Sequence, residues 1–225
     1  MTELIPEGTT HLLLVEGKED QEFFIQLGLY LKLADSWPLR IVQFDGKDNL
    51  ANRLRTLMNL NAFEEIERIG IVRDADFETN ALRSVQDAIR NANRGNTLTL
   101  PVPEKVMELA EGPPDVIVLV LPSEDSEGML EDLIMQVFAD DPVLMCTEDF
   151  LTCVKKRPVQ MVPERVSKVR VRVFVAGKNL SPRPDGDDLE KHRISDIFRM
   201  TWLPNDFWEN DAFQQAKTFL AQLLN

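Results

Sequence analysis

Three acidic positions stand where chain direction must change, and their types and spacing suit one chemistry. Glu16 ends the apolar run His11 to Val15 (HLLLV), and Asp74 and Asp76 follow Arg68 to Arg73 (RIGIVR) with one residue between them. An extended backbone through Asp74-Ala75-Asp76 sends both carboxylates to the same side, where they can share a hard cation. Mg2+ (or Mn2+) is the expected ion, because magnesium takes few carboxylates, keeps waters and completes its shell with phosphate oxygens. The plainer reading is a strand-end turn whose Asp residues only cap the next helix. Gly17 lets backbone approach a ligand closely, and Lys18 at a helix start either steadies a phosphate or is simply exposed. Asp20, one helical turn beyond Glu16, either supports the acids from behind or answers the helix dipole.

The elements that must position these residues alternate in type. HLLLV is short and wholly apolar, as in a strand buried on both faces. From Lys18 to Leu33 the apolar residues Phe23, Phe24, Leu27 and Leu31 recur at three and four, which predicts a helix. Leu39 to Phe44 reads as a second strand. Asp45-Gly46-Lys47-Asp48 is turn chemistry, with Asp48 expected to cap a helix running through Leu60. RIGIVR is a third strand and Thr79 to Asn93 a helix closed by Gly95. Asp115 to Leu121 (DVIVLVL) is a central strand, followed by an acidic loop, Ser123 to Glu127, and a helix from Met129 to Phe138. Strands alternating with helices predict an α/β fold with a mainly parallel sheet and helices on both faces. The acids then gather at the carboxyl ends of the strands, where open α/β sheets bind ligands.

Beyond Pro142 the pattern is less regular. Lys168 to Val175 (KVRVRVFV) alternates like a half-buried strand, yet Pro163-Glu164 resembles a helix opening, and both readings stand. Asn205 to Leu224 is an amphipathic helix. Residues 1–142 form the expected metal-binding domain, with 143–225 a mainly helical extension packed on the same core.

The chain has 225 residues and a formal charge of -13, from 38 acidic and 25 basic residues. This acidity opposes non-specific attraction to nucleic acid, which depends on Lys and Arg, so nucleic-acid binding by this chain alone is expected to be weak without a local basic patch or a partner. Cys146 and Cys153 lie too far apart for a CxxC pair, which argues against a thiolate zinc site and for reduced structural thiols. No basic leader precedes an apolar core and no apolar run reaches about 18 residues, so a cytoplasmic protein without a membrane partner is expected. His11 reads as a packed strand residue and His192 as a solvated one. Ser123 lacks a nearby His, and Trp37, Trp202 and Trp208 read as packing residues rather than base-stacking ones.

The order Leu13-Leu14-Val15-Glu16-Gly17-Lys18-Glu19-Asp20, then Gly70-Ile71-Val72-Arg73-Asp74-Ala75-Asp76, resembles the Toprim pattern shared by topoisomerases, bacterial primases and OLD-type nucleases. Gly46-Lys47-Asp48-Asn49-Leu50 and Gly128-Met129-Leu130-Glu131-Asp132-Leu133 are similar to a group of uncharacterised bacterial Toprim-like proteins related to the OLD nuclease domain. The likeness covers about residues 10 to 140. It implies a Toprim-like, Rossmann-like fold, with Glu16 as general acid or base and Asp74 and Asp76 as the metal pair. It also implies that Glu131 serves a second cation, while Asp132 points elsewhere on its helix.

The resemblance makes a magnesium-dependent nuclease, or nuclease-like component acting on nucleic acid, the leading expectation. A catalytically inactive Toprim-fold binding or regulatory module is the alternative, and a small-molecule phosphohydrolase or nucleotidyl transferase ranks third. Tyr30 falls inside the first helix, which argues against a covalent topoisomerase mechanism. OLD-type domains are often joined to an ATPase; no G-x-x-x-x-G-K-[ST] occurs here, so an ATP-driven step would need a partner chain. A homo-oligomer is compatible with the sequence.

Overall fold

The computed structural model describes residues 4–33, 38–76, 80–158, 163–178, 194–198 and 203–225. Four strands form one all-parallel sheet: β1 (His11–Val15), β2 (Leu39–Gln43), β3 (Arg68–Asp74) and β4 (Asp115–Leu121), in the order β2-β1-β3-β4. β1 and β4 have the bounds expected from their apolar runs. All their side chains except the first of β4 are buried, as central strands covered on both faces require.

The chain leaves β1 through α1 (Lys18–Tyr30) to β2, then returns past β1 through α2 (Leu50–Met58) to β3, and continues through α3 (Ala81–Asn93) to β4. Reversing the direction of travel places α2 and α3 on one face and α1 on the other, as right-handed crossovers demand. Two cores follow. Leu12, Leu14, Ile69, Ile71, Val116 and Val118 pack with α2 and α3, whereas Leu13, Val15, Val72, Ile117 and Leu119 pack with α1 and the later helices. This is the period-two alternation of a doubly covered sheet.

The later helices are α4 (Leu130–Gln136), α5 (Pro142–Lys155), α6 (Pro163–Lys178), α7 (Ile194–Ile197) and α8 (Gln214–Leu224). The ambiguous segment is helical. In α6, Val171, Phe174 and Val175 are buried at helical spacing, and Phe174 meets Phe138 at 4.9 Å. Tertiary packing on α4 and α5 thus decides against the strand reading. α8 crosses β3 so closely that a methyl group on Gly70 would stand 2.8 Å from Phe219 Cζ and 2.9 Å from Leu223 Cδ2.

Several smaller expectations fail. Asp48 caps no helix: it lies in a short 3-10 turn, Lys47–Asn49, and Asn49 precedes α2 without a side-chain cap bond. The C-terminal helix begins at Gln214, after two 3-10 turns at Phe207–Glu209 and Asp211–Phe213 that tuck both phenylalanines into the core. Cys146 and Cys153 are free thiols but exposed on α5, so they support no core. His11 is buried at the amino end of β1 beside the Thr10 hydroxyl, and Trp208 packs against Phe23 and Phe213, both as expected. Trp37, Trp202 and His192 lie outside the described residues. No described helix is long and apolar enough to cross a membrane.

Candidate functional site

The direction in which the chain winds across the parallel sheet reverses between β1 and β3, and a cleft of about 570 Å³ opens there at the carboxyl ends of the strands. Glu16 and Asp20 from the β1–α1 junction, Asp74 from the end of β3 and Glu131 from the start of α4 line it, and Lys18 borders it. Loop and helix starts fix the acids. The Asp20 carboxylate turns back to accept the Gly17 amide at 2.9 Å, closing the first turn of α1. Asp132 does the same for Met129 at 3.1 Å at the start of α4, which leaves the neighbouring Glu131 directed to the cleft. Asp74 accepts the Leu130 amide at 3.1 Å. That amide belongs to the first turn of α4 and would otherwise lack an acceptor.

Asp76 departs from the expected geometry. The chain does not continue extended through it: Asp76 adopts φ 53°, and its carbonyl accepts the Gly128 amide at 2.6 Å. Its carboxylate does not line the cleft beside Asp74 but accepts Arg73 Nη2 at 2.8 Å, while Arg73 Nη1 binds Glu16 Oε2. Arg73 is only 3% exposed, and its Nε has no hydrogen-bond partner among the described residues. The register that pairs Leu14 with Ile71 brings Glu16 level with Arg73 two residues later. The signal for this residue in the sequence is an arginine at the end of an apolar run, immediately before an acidic pair.

Crowding burial and like charge at one sheet edge raises the carboxyl pKa values. Burial pushes Asp20 up to about 6, against the Gly17 hydrogen bond and with help from Glu16. Burial, then Asp20, Glu131, Glu16 and Asp76, holds Asp74 well above the usual carboxylate range. Burial carries Glu131 up to about 7, opposed by Lys168. Glu16 is raised by burial even though Arg73 pulls it down.

A second group that the sequence did not single out faces these acids. Lys168 and Arg172, one turn apart on the same side of α6, line the cleft, and both are exposed. Asp132 anchors this helix. It accepts Ser167 Oγ at 2.8 Å and Arg170 Nη1 at 2.7 Å, and Arg170 Nε reaches Glu148 on α5 at 2.6 Å. Asp132 therefore points away from the cleft, as a neighbour of Glu131 on a helix must, and holds in place the helix that carries the basic residues.

The donor set suits a hard cation, since every candidate ligand is a carboxylate and positive charge would offset both the burial and the like-charge repulsion that raise Asp74 and Glu131. Among the described residues no three His, Cys, Asp or Glu side chains already stand in position to hold one ion. Magnesium commonly takes one or two carboxylates, waters and phosphate, so a preformed cage is not its requirement. No curated protein and no solved structure matches the chain. The family described as a protein of unknown function (DUF3226) matches residues 10–225, spanning the sheet, the acidic cleft and α6, and the chain belongs to that family.

Proposed function

We propose that this chain is a Mg2+- or Mn2+-dependent phosphodiester-processing protein, a nuclease or nuclease-like component with a Toprim-like centre, acting on nucleic acid. The observation that carries the reading is the opposition, across one cleft, of Glu16, Asp20, Asp74 and Glu131 with Lys168 and Arg172. Acids gather a metal ion; paired cations one helical turn apart bind phosphate oxygens. A formal net charge of -13 makes such a local basic pair the element that draws a polyanion to an otherwise repelling molecule.

Asp74 and Glu131, with Asp20 behind them, would hold the ion. When bound, the ion neutralises charge that builds on a phosphoryl group during transfer. Lys168 and Arg172 bind the non-reacting phosphate oxygens and orient the scissile bond. Lys18 stands at the cleft edge to meet a neighbouring phosphate. Glu16, raised by burial and steadied by Arg73, is the group that moves a proton. The test is cleavage of supercoiled DNA, linear DNA and RNA with Mg2+ or Mn2+ by the wild type, Glu16→Gln and Asp74→Asn. Metal-dependent product from the wild type alone supports the reading; equal activity in all three proteins ends it.

One observation favours a second reading, a binding or regulatory module without turnover: Glu16 and Asp76 are already engaged by Arg73. Calorimetry would then register metal or nucleotide binding while no nucleic-acid product forms, and multiple-turnover cleavage would contradict it.

A further inference from the structure

We infer that Arg73 is a resident cation of this centre, filling the space between Glu16 and Asp76 and thereby limiting the site to a single divalent ion on the Asp74 side. The inference rests on the cation-dependent reading above.

Three observations converge on it. Arg73 lies at the level of Glu16 across the β1–β3 register, so the strands themselves present the guanidinium to that carboxylate. The left-handed conformation at Asp76, fixed by the backbone bond from Gly128, turns the second carboxylate onto the other guanidinium nitrogen. A planar, permanently charged fork spanning two carboxylates does what a bridging metal ion does there, and it cannot leave by deprotonation. It is only 3% exposed, and its departure would strip both acids of their partner.

Asp74 is differently placed. It belongs to the cleft with Asp20 and Glu131, receives an amide from Leu130 rather than a side-chain cation, and keeps its second oxygen outside that bond. The acids thus divide into a pair neutralised from within, Glu16 and Asp76, and a set that awaits positive charge from outside. A buried guanidinium between two carboxylates is expensive to extract, because its removal leaves uncompensated charge. A second divalent ion at Glu16 and Asp76 would have to displace it.

The experiment is a Mn2+ titration of the full chain at neutral pH, followed by calorimetry and by the electron paramagnetic resonance signal of free Mn2+. The wild type is expected to bind one ion, Asp74→Asn none, and Asp76→Asn one with affinity within about threefold of the wild type. Arg73→Gln should bind a second ion. Two ions on the wild type, loss of the ion in Asp76→Asn, or a single ion on folded Arg73→Gln would overturn the role of Arg73 while leaving cation dependence intact. Binding of no ion by the wild type overturns both. Should Arg73→Gln not fold, the wild-type stoichiometry and Asp76→Asn still decide the matter.

Discussion

The Asp74 carboxylate accepts the amide of Leu130 at 3.1 Å, joining the end of β3 to the first turn of α4 across 56 positions of chain. The contact explains how a buried acid stays fixed beside Asp20 and Glu131 without a cation of its own. It also separates what the side chain does for folding from what it does for ligand binding. An Asn at this position keeps an oxygen for Leu130 and removes the charge. Asp74→Asn should therefore raise the stability of the metal-free protein at pH 7.5 while abolishing any rise in melting temperature on adding Mn2+. Thermal unfolding with and without Mn2+ measures both, and a destabilised variant that still responds to Mn2+ would contradict the assignment.

Stability of the metal-free protein should fall as pH rises from about 4 to about 7. In the folded chain Asp20 holds its proton up to about pH 6 and Glu131 up to about pH 7. In the unfolded chain both release it near pH 4. Between these limits the folded state binds more protons, so its advantage is complete below about pH 4 and is lost by about pH 7. Glu16 and Asp74 are raised as well and add to the same trend. Mg2+ or Mn2+ should recover the loss at pH 7.5 and have little effect at pH 5, where protons compete for the ligands. Melting temperatures across this range, at ~2–4 °C per kcal/mol for a chain of this size, provide the check; a flat profile would contradict it.

Arg170→Ala should loosen the basic wall of the cleft. Arg170 bonds Asp132 and Glu148 at 2.7 and 2.6 Å, both charge-assisted contacts, and their loss should cost about 1.5–3 kcal/mol. The more specific effect is on anion affinity, because α6 carries Lys168 and Arg172. Binding of a short labelled single strand should weaken in Arg170→Ala, and weaken further with a shallower salt slope in Lys168→Ala plus Arg172→Ala. Unchanged salt dependence in the double variant would remove α6 from the binding surface.

Gly70→Ala supplies a control away from the cleft. Its methyl group would meet Phe219, Leu223 and Leu13 at 2.8, 2.9 and 3.2 Å, contacts that α8 can relieve only by shifting off the sheet. Overpacking of this kind costs about 1–3 kcal/mol. Denaturant unfolding should register that loss, and Mn2+ stoichiometry should not change.

The sheet and the two principal acids were legible in the sequence because buried parallel strands are continuous apolar runs, and those of β1 and β3 run into Glu16 and Asp74. HLLLV and DVIVLVL have no competing periodicity, so their boundaries follow from composition. α6 was not legible. KVRVRVFV carries an apolar residue at every second position, and the helix is chosen by the depth to which Val171, Phe174 and Val175 sink against α4 and α5, which is a property of the packed core. Asp76 was misplaced for a related reason. Its left-handed turn is set by a backbone bond from Gly128, 52 residues away, and no local pattern records it. Lys168 and Arg172 escaped notice because only a helix brings them to one side.

The position of α6 in the chain gives the molecule a division of labour. Every acid of the cleft is laid down before residue 142, and both basic residues opposite them come after it. Without α6, Lys18 would be the one cation left among the lining residues to oppose these acids. The tail can accordingly be re-engineered as a dial for ligand charge and size, with the inherited acidic floor left untouched.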